Sequence, residues 1–362
     1  MLTTLFDILL ILLGPCISWI IYPRVYRVAL KHKIIDRSSQ SNQQQAIPLL
    51  GGLVVVLAAT LPIGLYIYFH SPSQLTQYIP YVLFFLLLGI VDDVRNLSTT
   101  SRLIIETLVV AYFVYAQDML VHFHGLWNIH QLPLGVTILL SVIAGVGIIN
   151  CINMIDGVDG YSSGLGIISC GCFGLFFYCC HQHALAIFLF VVAACIIPFY
   201  IYNVFGQKKM YFGDGGTHML GAILSMCVFQ ILSNQSTTYT TTYLPHHFGL
   251  IPFCLAVLCI PVFDALRVII GRIIRGASPF TGDTTHLHHL FLQIGFAHWQ
   301  TSLTIIALNT CIILLWWISY RAGMSINGQL YIVGALGILA TFGLSIWLQH
   351  ISNNIRNTEN NR

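Results

Sequence analysis

Three short runs hold most of the residues in this chain whose types and spacing could do chemistry. The first is Asn150-Cys151-Ile152-Asn153-Met154-Ile155-Asp156-Gly157-Val158-Asp159-Gly160. At helical spacing, Asn150, Asn153 and Asp156 share one face and offer hard oxygen ligands and amide donors. Gly157 and Gly160 let the backbone turn and approach a ligand closely. The second run, Phe212-Gly213-Asp214-Gly215-Gly216-Thr217, opens an apolar stretch. Glycines at a helix N-terminus expose backbone N–H groups that favour phosphate. An acid among them suits Mg²⁺, which takes one or two carboxylates plus substrate phosphates. The third run carries Arg267, Arg272 and Arg275, then Ser278-Pro279-Phe280, then His286-Leu287-His288-His289. Its three His beside three Arg form a basic patch suited to a diphosphate. The H-x-H-H pattern also suggests zinc, but Cys partners and zinc spacing are absent, and the many aspartates favour hard Mg²⁺ chemistry.

A fourth feature is Asp92-Asp93, two adjacent acids ending the run Leu88-Gly89-Ile90-Val91. Adjacent carboxylates repel, so a cation belongs near them. Any one of these acids reads equally well as a helix cap or a solvated loop residue. Together they do not, because Asp92, Asp93, Asp156, Asp159, Asp214, Asp264 and Asp283 all fall in or beside loops on one side of the chain's alternating apolar runs. Carboxylates at a membrane boundary are costly unless used or paired.

The elements that must position these residues are membrane helices. The chain has 362 residues, 57% hydrophobic and only 7% charged, where a soluble domain carries about 25% charged residues. Lipid is therefore the solvent, and a net charge of +3 argues against a nucleic-acid partner. Apolar runs near the required length of about 20 residues lie at 2–22, 48–68, 77–94, 103–117, 134–151, 163–180, 184–203, 212–233, 248–267, 301–320 and 329–349. The reading is an all-α, polytopic bundle of about eleven transmembrane helices, one integral membrane domain over 1–351 with a polar, disordered tail over 352–362. The first run lacks a basic n-region and a small-residue cleavage site, so it reads as a retained helix. Of fifteen Lys and Arg, all but Arg321 fall in alternate connections or the tail. The positive-inside rule then predicts an N-terminus outside and a C-terminus in the cytoplasm. The eleven Cys form no CxxC pair and mostly sit in apolar runs, as small buried hydrophobes.

In this order, the motifs resemble the polyprenyl-phosphate N-acetylhexosamine-1-phosphate transferase family (glycosyltransferase family 4) across nearly the whole chain. The matching pieces are Ile47-Pro48-Leu49-Leu50-Gly51-Gly52, Asp92-Asp93, the Asn-x-x-Asn-x-x-Asp-Gly-x-Asp-Gly run, Gly213-Asp214-Gly215, and Ser278-Pro279-Phe280 followed by His-Leu-His-His. The last motif is similar to that of the branch transferring N-acetylglucosamine-1-phosphate to undecaprenyl phosphate. The related cell-wall enzymes acting on UDP-MurNAc-pentapeptide usually carry three His in a row. Two departures stand out: Gln43-Gln44-Gln45 takes the place of a basic residue before Pro48, and Gly215-Gly216-Thr217 replaces the usual Ala-Gly-Ser.

The resemblance implies that UDP-GlcNAc and undecaprenyl phosphate give undecaprenyl-diphospho-GlcNAc and UMP, initiating cell-surface polysaccharide synthesis of the O-antigen, enterobacterial common antigen or teichoic-acid type. It implies a bacterial cytoplasmic (inner) membrane location and an active site facing the cytoplasm. Mg²⁺ is the expected cofactor, with Mn²⁺ as a substitute, held by Asp214 and Asn153. Asp92, Asp93, Asp156, Asp159 and His286 make up the expected catalytic set, with Asn150, Gly157, Arg275, His288 and His289 on the substrate. Within it, Asp92 and Asp93 deprotonate the lipid phosphate or support the metal, and Asp156 and Asp159 hold the nucleoside end. His286, with His288, His289 and Arg275, meets the donor diphosphate and sugar. A two-step route through an aspartyl nucleophile stays open, as do another UDP-N-acetylhexosamine donor and a homodimer. The reading from a different class is a transporter whose acids line a pore. Such acids belong near the bilayer midplane, whereas these fall at the ends of the apolar runs.

Overall fold

A computed structural model of the chain describes residues 2–36, 47–278 and 285–360. Gln43, Gln44, Gln45, Pro279, Phe280 and Asp283 lie outside the described residues. The described chain is helical, with no strand among its residues and one isolated antiparallel bridge between Ile35 and Pro48. The helices are α1 (Leu2–Lys31), α2 (Gly51–His70), α3 (Ser73–Arg95), α4 (Thr99–Ala116), α5 (Leu134–Met154), α6 (Tyr161–Cys179), α7 (His183–Phe205), α8 (Gly213–Leu232) and α9 (Thr237–Tyr243). After these come α10 (Leu250–Val257), α11 (Cys259–Ile274), α12 (Leu287–Gln293), α13 (His298–Arg321), α14 (Ile326–Ile338) and α15 (Leu344–Asn360).

Ten of the described helices or continuous helix pairs are long and apolar enough to cross a membrane, and the bent pair α10–α11 makes an eleventh if counted as one span. The protein is a multi-pass membrane protein, and the expected helix number is borne out. The run at 248–267 is not one straight helix, however. It breaks at Leu258 by 78°. In lipid a break leaves backbone groups with no water to satisfy them. Asn309 of α13 repairs this one: its Nδ2 donates to Val257 O (3.0 Å) and its Oδ1 accepts from the Ile260 amide (2.9 Å).

α8 is the axis of the bundle. All of its residues are buried except Asp214. A helix carrying an acid and a histidine in its first two turns is tolerable there because protein, not lipid, surrounds it. Small residues let its neighbours approach to backbone contact, as membrane helix interfaces favour. A Cβ on Gly52 of α2 would lie 2.3 Å from Gly216 Cα, one on Gly89 of α3 2.1 Å from the Asp214 carbonyl oxygen, and one on Gly221 2.7 Å from Ile149 Cα of α5. Buried hydroxyls fasten the same interfaces: Tyr78 donates to Gln230 Oε1 (2.8 Å), and Tyr81 meets Ser225 (3.1 Å).

These contacts set a test of the packing. Gly52→Ala and Gly89→Ala are each expected to destabilise the protein by at least about 1–3 kcal/mol through overpacking. Gly64→Ala in the same helix as Gly52, where a Cβ meets nothing within 4 Å, serves as control. Thermal unfolding in detergent measures all three, and equal midpoints would contradict the close packing.

Candidate active site

The segment Asn150–Gly160 is the hub of the polar site, reached by three other parts of the chain. Toward α8, Asn153 Oδ1 accepts from Thr217 Oγ1 (2.6 Å). Asp156 accepts from the Ser162 hydroxyl and from the Gly213 amide. Toward α7 and its following loop, the Gly160 amide donates to Asn203 Oδ1 (2.6 Å) with Gly160 at φ +81°, and Lys209 Nζ meets Asp159 Oδ2 at 2.6 Å. Toward the histidine run, Gly157 packs on His288, and the Asp159 amide reaches His298 Nδ1 (3.5 Å). The helix periodicity expected for Asn150, Asn153 and Asp156 holds in outcome: α5 stops at Met154, yet all three side chains turn toward α8 or its neighbour α4.

The start of α8 departs from expectation. Its first amides were expected to cradle phosphate, but this chain's own acids take them. Gly213 N–H goes to Asp156, Asp214 N–H to Asp93 Oδ1 (3.0 Å) and Gly215 N–H to Asp93 Oδ2 (3.1 Å). The reason is the one that favours phosphate: orphan N–H groups and the positive end of the helix dipole attract any anion, and two carboxylates stand within reach. Gly213, at φ +74°, makes the turn possible, since a Cβ there would lie 2.3 Å from Leu49 O. Asp92 is held in turn by Arg102 Nη1 (2.7 Å) and the Leu97 amide (2.7 Å). Arg102 is thus the cation that the adjacent acids required. The Asp92 and Asp214 carboxyl groups come within hydrogen-bonding reach of each other.

Electrostatics outside the membrane-spanning segments fit this crowding. Burial pushes the Asp156 carboxyl up to about 7, the Ser162 hydrogen bond works against that, and Asp214 adds to the rise. In the histidine run, burial together with His289 and His286 pushes His288 down to about 3, so it is neutral. His288 is buried, its Nδ1 has no partner, and a Cβ on Gly157 would lie 2.4 Å from its Nε2. His288 therefore forms a wall beneath Gly157 rather than a charged arm. His289 is half-buried and Arg275, closing α11, is exposed. His286 is 4% exposed, with Nδ1 on Asp264 Oδ2 at 3.0 Å. Asp264 also binds Arg267 (2.7 Å) and the Leu287 amide, so it pins α11 to the start of α12.

The structure thus brings Asp92, Asp93, Asn153, Asp156, Asp159 and Asp214 together at one end of the bundle, with His288 against Gly157. Sequence reading gave no role to Glu106, His218, Arg102, Lys209 or Asp264. Arg102 and Lys209 counted only toward orientation. Glu106 sits inside an apolar run with no motif around it, and His218 directly follows the Phe212–Thr217 motif; the available signal for both is a polar, ionisable side chain within an apolar run. Among the described residues no three His, Cys, Asp or Glu side chains form a ready-made metal cluster. Asp214 is half-buried, and Asn153 Oδ1 lies against the Thr217 hydroxyl; both are hard oxygens of the type that Mg²⁺ takes.

The Asp264 node yields a stability prediction. Asp264→Ala strands Arg267 and His286 in a buried setting and is expected to cost about 3–5 kcal/mol. His286→Ala removes one partner of a buried acid and is expected to cost about 1–3 kcal/mol. Thermal unfolding in detergent reads both, and an Asp264→Ala protein as stable as wild type would dismiss the node.

Comparison with known proteins agrees with this geometry. The model of glycosyl transferase family 4 matches residues 75–232, a stretch that includes Asp92, Asp93, the hub and the start of α8. The chain is 28% identical over 287 residues to an undecaprenyl-phosphate alpha-N-acetylglucosaminyl 1-phosphate transferase of Escherichia coli K12, covering 77% of this chain and 74% of that protein. It is 28% identical over 292 residues to a probable undecaprenyl-phosphate N-acetylglucosaminyl 1-phosphate transferase of Bacillus subtilis, covering 79% and 77%. A similar protein of Salmonella typhi is 26% identical over 310 residues, covering 82% and 81%. The chain is thus similar to glycosyl transferase family 4 over residues 75–232 and to undecaprenyl-phosphate N-acetylglucosaminyl 1-phosphate transferases over most of its length.

Proposed function

We propose that this protein transfers N-acetylglucosamine-1-phosphate from UDP-GlcNAc to undecaprenyl phosphate, releasing UMP and leaving undecaprenyl-diphospho-GlcNAc. The product would begin a cell-surface polysaccharide. The observation that carries the reading is the gathering of Asp92, Asp93, Asp156 and Asp214 around the first turn of one buried helix. Such a concentration of acids is unstable alone and suits a cation shared with phosphate groups. The names of the similar transferases supply the polyprenyl phosphate and the sugar.

In this reading Asp214 and Asn153 hold Mg²⁺, which when bound neutralises the donor diphosphate. Phosphoryl transfer then depends on positioning and charge. Asp93 and Asp156 fix the start of α8, and so the place of Asp214. Arg102 holds Asp92 beside them. Asp159, tied to Lys209, lies at the edge of the hub where a nucleoside would enter. His286 is set by Asp264. With Nδ1 committed to that carboxylate, Nε2 remains for the donor phosphates, a tautomer assigned from the hydrogen bond. The same reading has the N-terminus outside, the C-terminus in the cytoplasm, and the site facing the cytoplasm of a bacterial inner membrane, following the basic-residue asymmetry.

Purified protein incubated with Mg²⁺, undecaprenyl phosphate and a panel of UDP-sugars, with the lipid product identified by mass, decides the donor. A product carrying a different N-acetylhexosamine would correct the sugar, and no lipid product would defeat the reading. The metal role is tested by Asp214→Asn, which keeps size and capping ability but removes the charge. UMP release is expected to fall at least about a hundredfold, the loss of several kcal/mol of transition-state stabilisation, while the protein stays monodisperse. Near-normal turnover with unchanged Mg²⁺ dependence would leave Asp214 a helix cap. For orientation, single Cys residues placed in 234–246 are expected to react with an impermeant thiol reagent on intact cells, and those in 285–297 only after permeabilisation.

A further inference from the structure

One buried carboxylate lies a turn below the acids of the site and takes no part in the chemistry above. Glu106 of α4 is fully buried, as is His218 of α8. Glu106 Oε1 meets His218 Nε2 at 3.1 Å and Arg102 Nε at 3.5 Å, while Oε2 accepts from Asn150 Nδ2 at 2.5 Å. His218 Nδ1 lies 2.7 Å from the backbone oxygen of Asp214. Both ring nitrogens therefore face acceptors, with Nδ1 toward the Asp214 carbonyl and Nε2 toward Glu106. Through these partners the single Glu106 side chain reaches Asp92 by way of Arg102, Asp214 by way of His218, and the hub by way of Asn150. The Asp214 carbonyl is confined on its other side by Gly89, whose missing Cβ would lie 2.1 Å away, and by the Thr217 hydroxyl at 3.3 Å.

We propose that Glu106 and His218 are positioning residues that fix the Asp214 backbone and Asn150 with respect to Arg102 and Asp92. Their purpose is to set the direction in which the Asp214 carboxylate leaves the first turn of α8. The inference rests on the transferase reading for its activity test and on geometry for the rest. A buried pair of this kind costs desolvation and is weak support for stability in itself. A function in orientation gives the cost a reason, because a small displacement of a reacting group lowers the rate steeply.

Three variants separate positioning from plain support of the fold. Glu106→Asp keeps the charge but withdraws it by one methylene from His218 and Asn150. His218→Leu keeps much of the volume and loses both contacts. Each is expected to lower kcat for UMP release about tenfold or more, with KM for the UDP-sugar within about threefold, the pattern of an interaction that serves the transition state. Glu106→Gln retains an acceptor for Asn150 and a donor for His218, and is expected to recover most of the kcat that Glu106→Asp loses. Rates are taken per monodisperse protein. If His218→Leu does not yield such protein, Glu106→Asp against Glu106→Gln decides alone. A Glu106→Asp enzyme with wild-type kcat, or one altered in KM only, overturns the proposal. Mn²⁺ titrated into wild type and Glu106→Asp, followed by electron paramagnetic resonance, gives a readout independent of turnover. Binding at least about fivefold weaker in the variant is expected, and equal binding overturns the proposal. Wild-type protein that releases no UMP from any UDP-sugar would sink the transferase reading instead, with Mn²⁺ binding left to decide positioning.

Discussion

Everything at the polar end of this bundle hangs on the capping of α8. A helix surrounded by protein within a membrane still has orphan amides at its start, and there is no water to satisfy them. Here Asp156, from the connection after α5, takes one, and Asp93, from the end of α3, takes two. Two chain segments, 93 and 156, are thereby brought to a third at 214. The glycines follow from this constraint. Gly213 turns the chain into the helix at positive φ, and Gly52 and Gly89 let α2 and α3 reach backbone contact with the capped turn. Without those contacts the carboxylates could not reach the amides, and the acids would be dispersed rather than collected.

Collection has an electrostatic consequence. Acids this close raise one another's energy, and the chain offsets this with cations at its own edges: Arg102 on Asp92, Lys209 on Asp159, Arg267 on Asp264. Each of these acids is thereby accounted for. Asp214 is different, since its amide is capped but its carboxylate faces Asp92 and remains half-exposed. In the proposed reading, the added cation would sit at this acid, beside Asn153.

Much of this was legible in the sequence, and the boundary of legibility has a physical meaning. Helix number was readable because lipid forces long apolar runs, and the motif residues of the hub were readable because glycine and acid in such a chain are expensive. The break at Leu258 was not, since the apolar run passes through it unbroken and its repair lies in Asn309, far along the chain. Nor was the burial of His288. The pattern His-Leu-His-His suggests three equivalent arms, yet the helix beginning at Leu287 turns one of them into the core against Gly157. The phosphate cradle was misjudged for a related reason. Sequence marks an anion site at the start of α8 but cannot say that the anion is the chain's own.

The depth of the polar groups separates a transferase from a pore. In a transporter the acids would sit where helices break near the middle of the bundle. Among the described residues, the one sharp break within an apolar span, at Leu258, carries no acid and is closed by an amide. The acids instead occupy the last turn of α3, the connection between α5 and α6, and the first turn of α8. The deeper pair, Glu106 and His218, is fully buried and engaged with Arg102, Asn150 and the Asp214 carbonyl, so it lines no passage. Below it α8 continues with apolar side chains packed to 0% exposure at Leu220, Ala222, Leu224 and Met226. A charged solute entering at the acids therefore meets a closed, dry helix axis. The architecture gathers its acids at one end of the bundle, as the proposed transfer between a soluble anion and a lipid-anchored one requires.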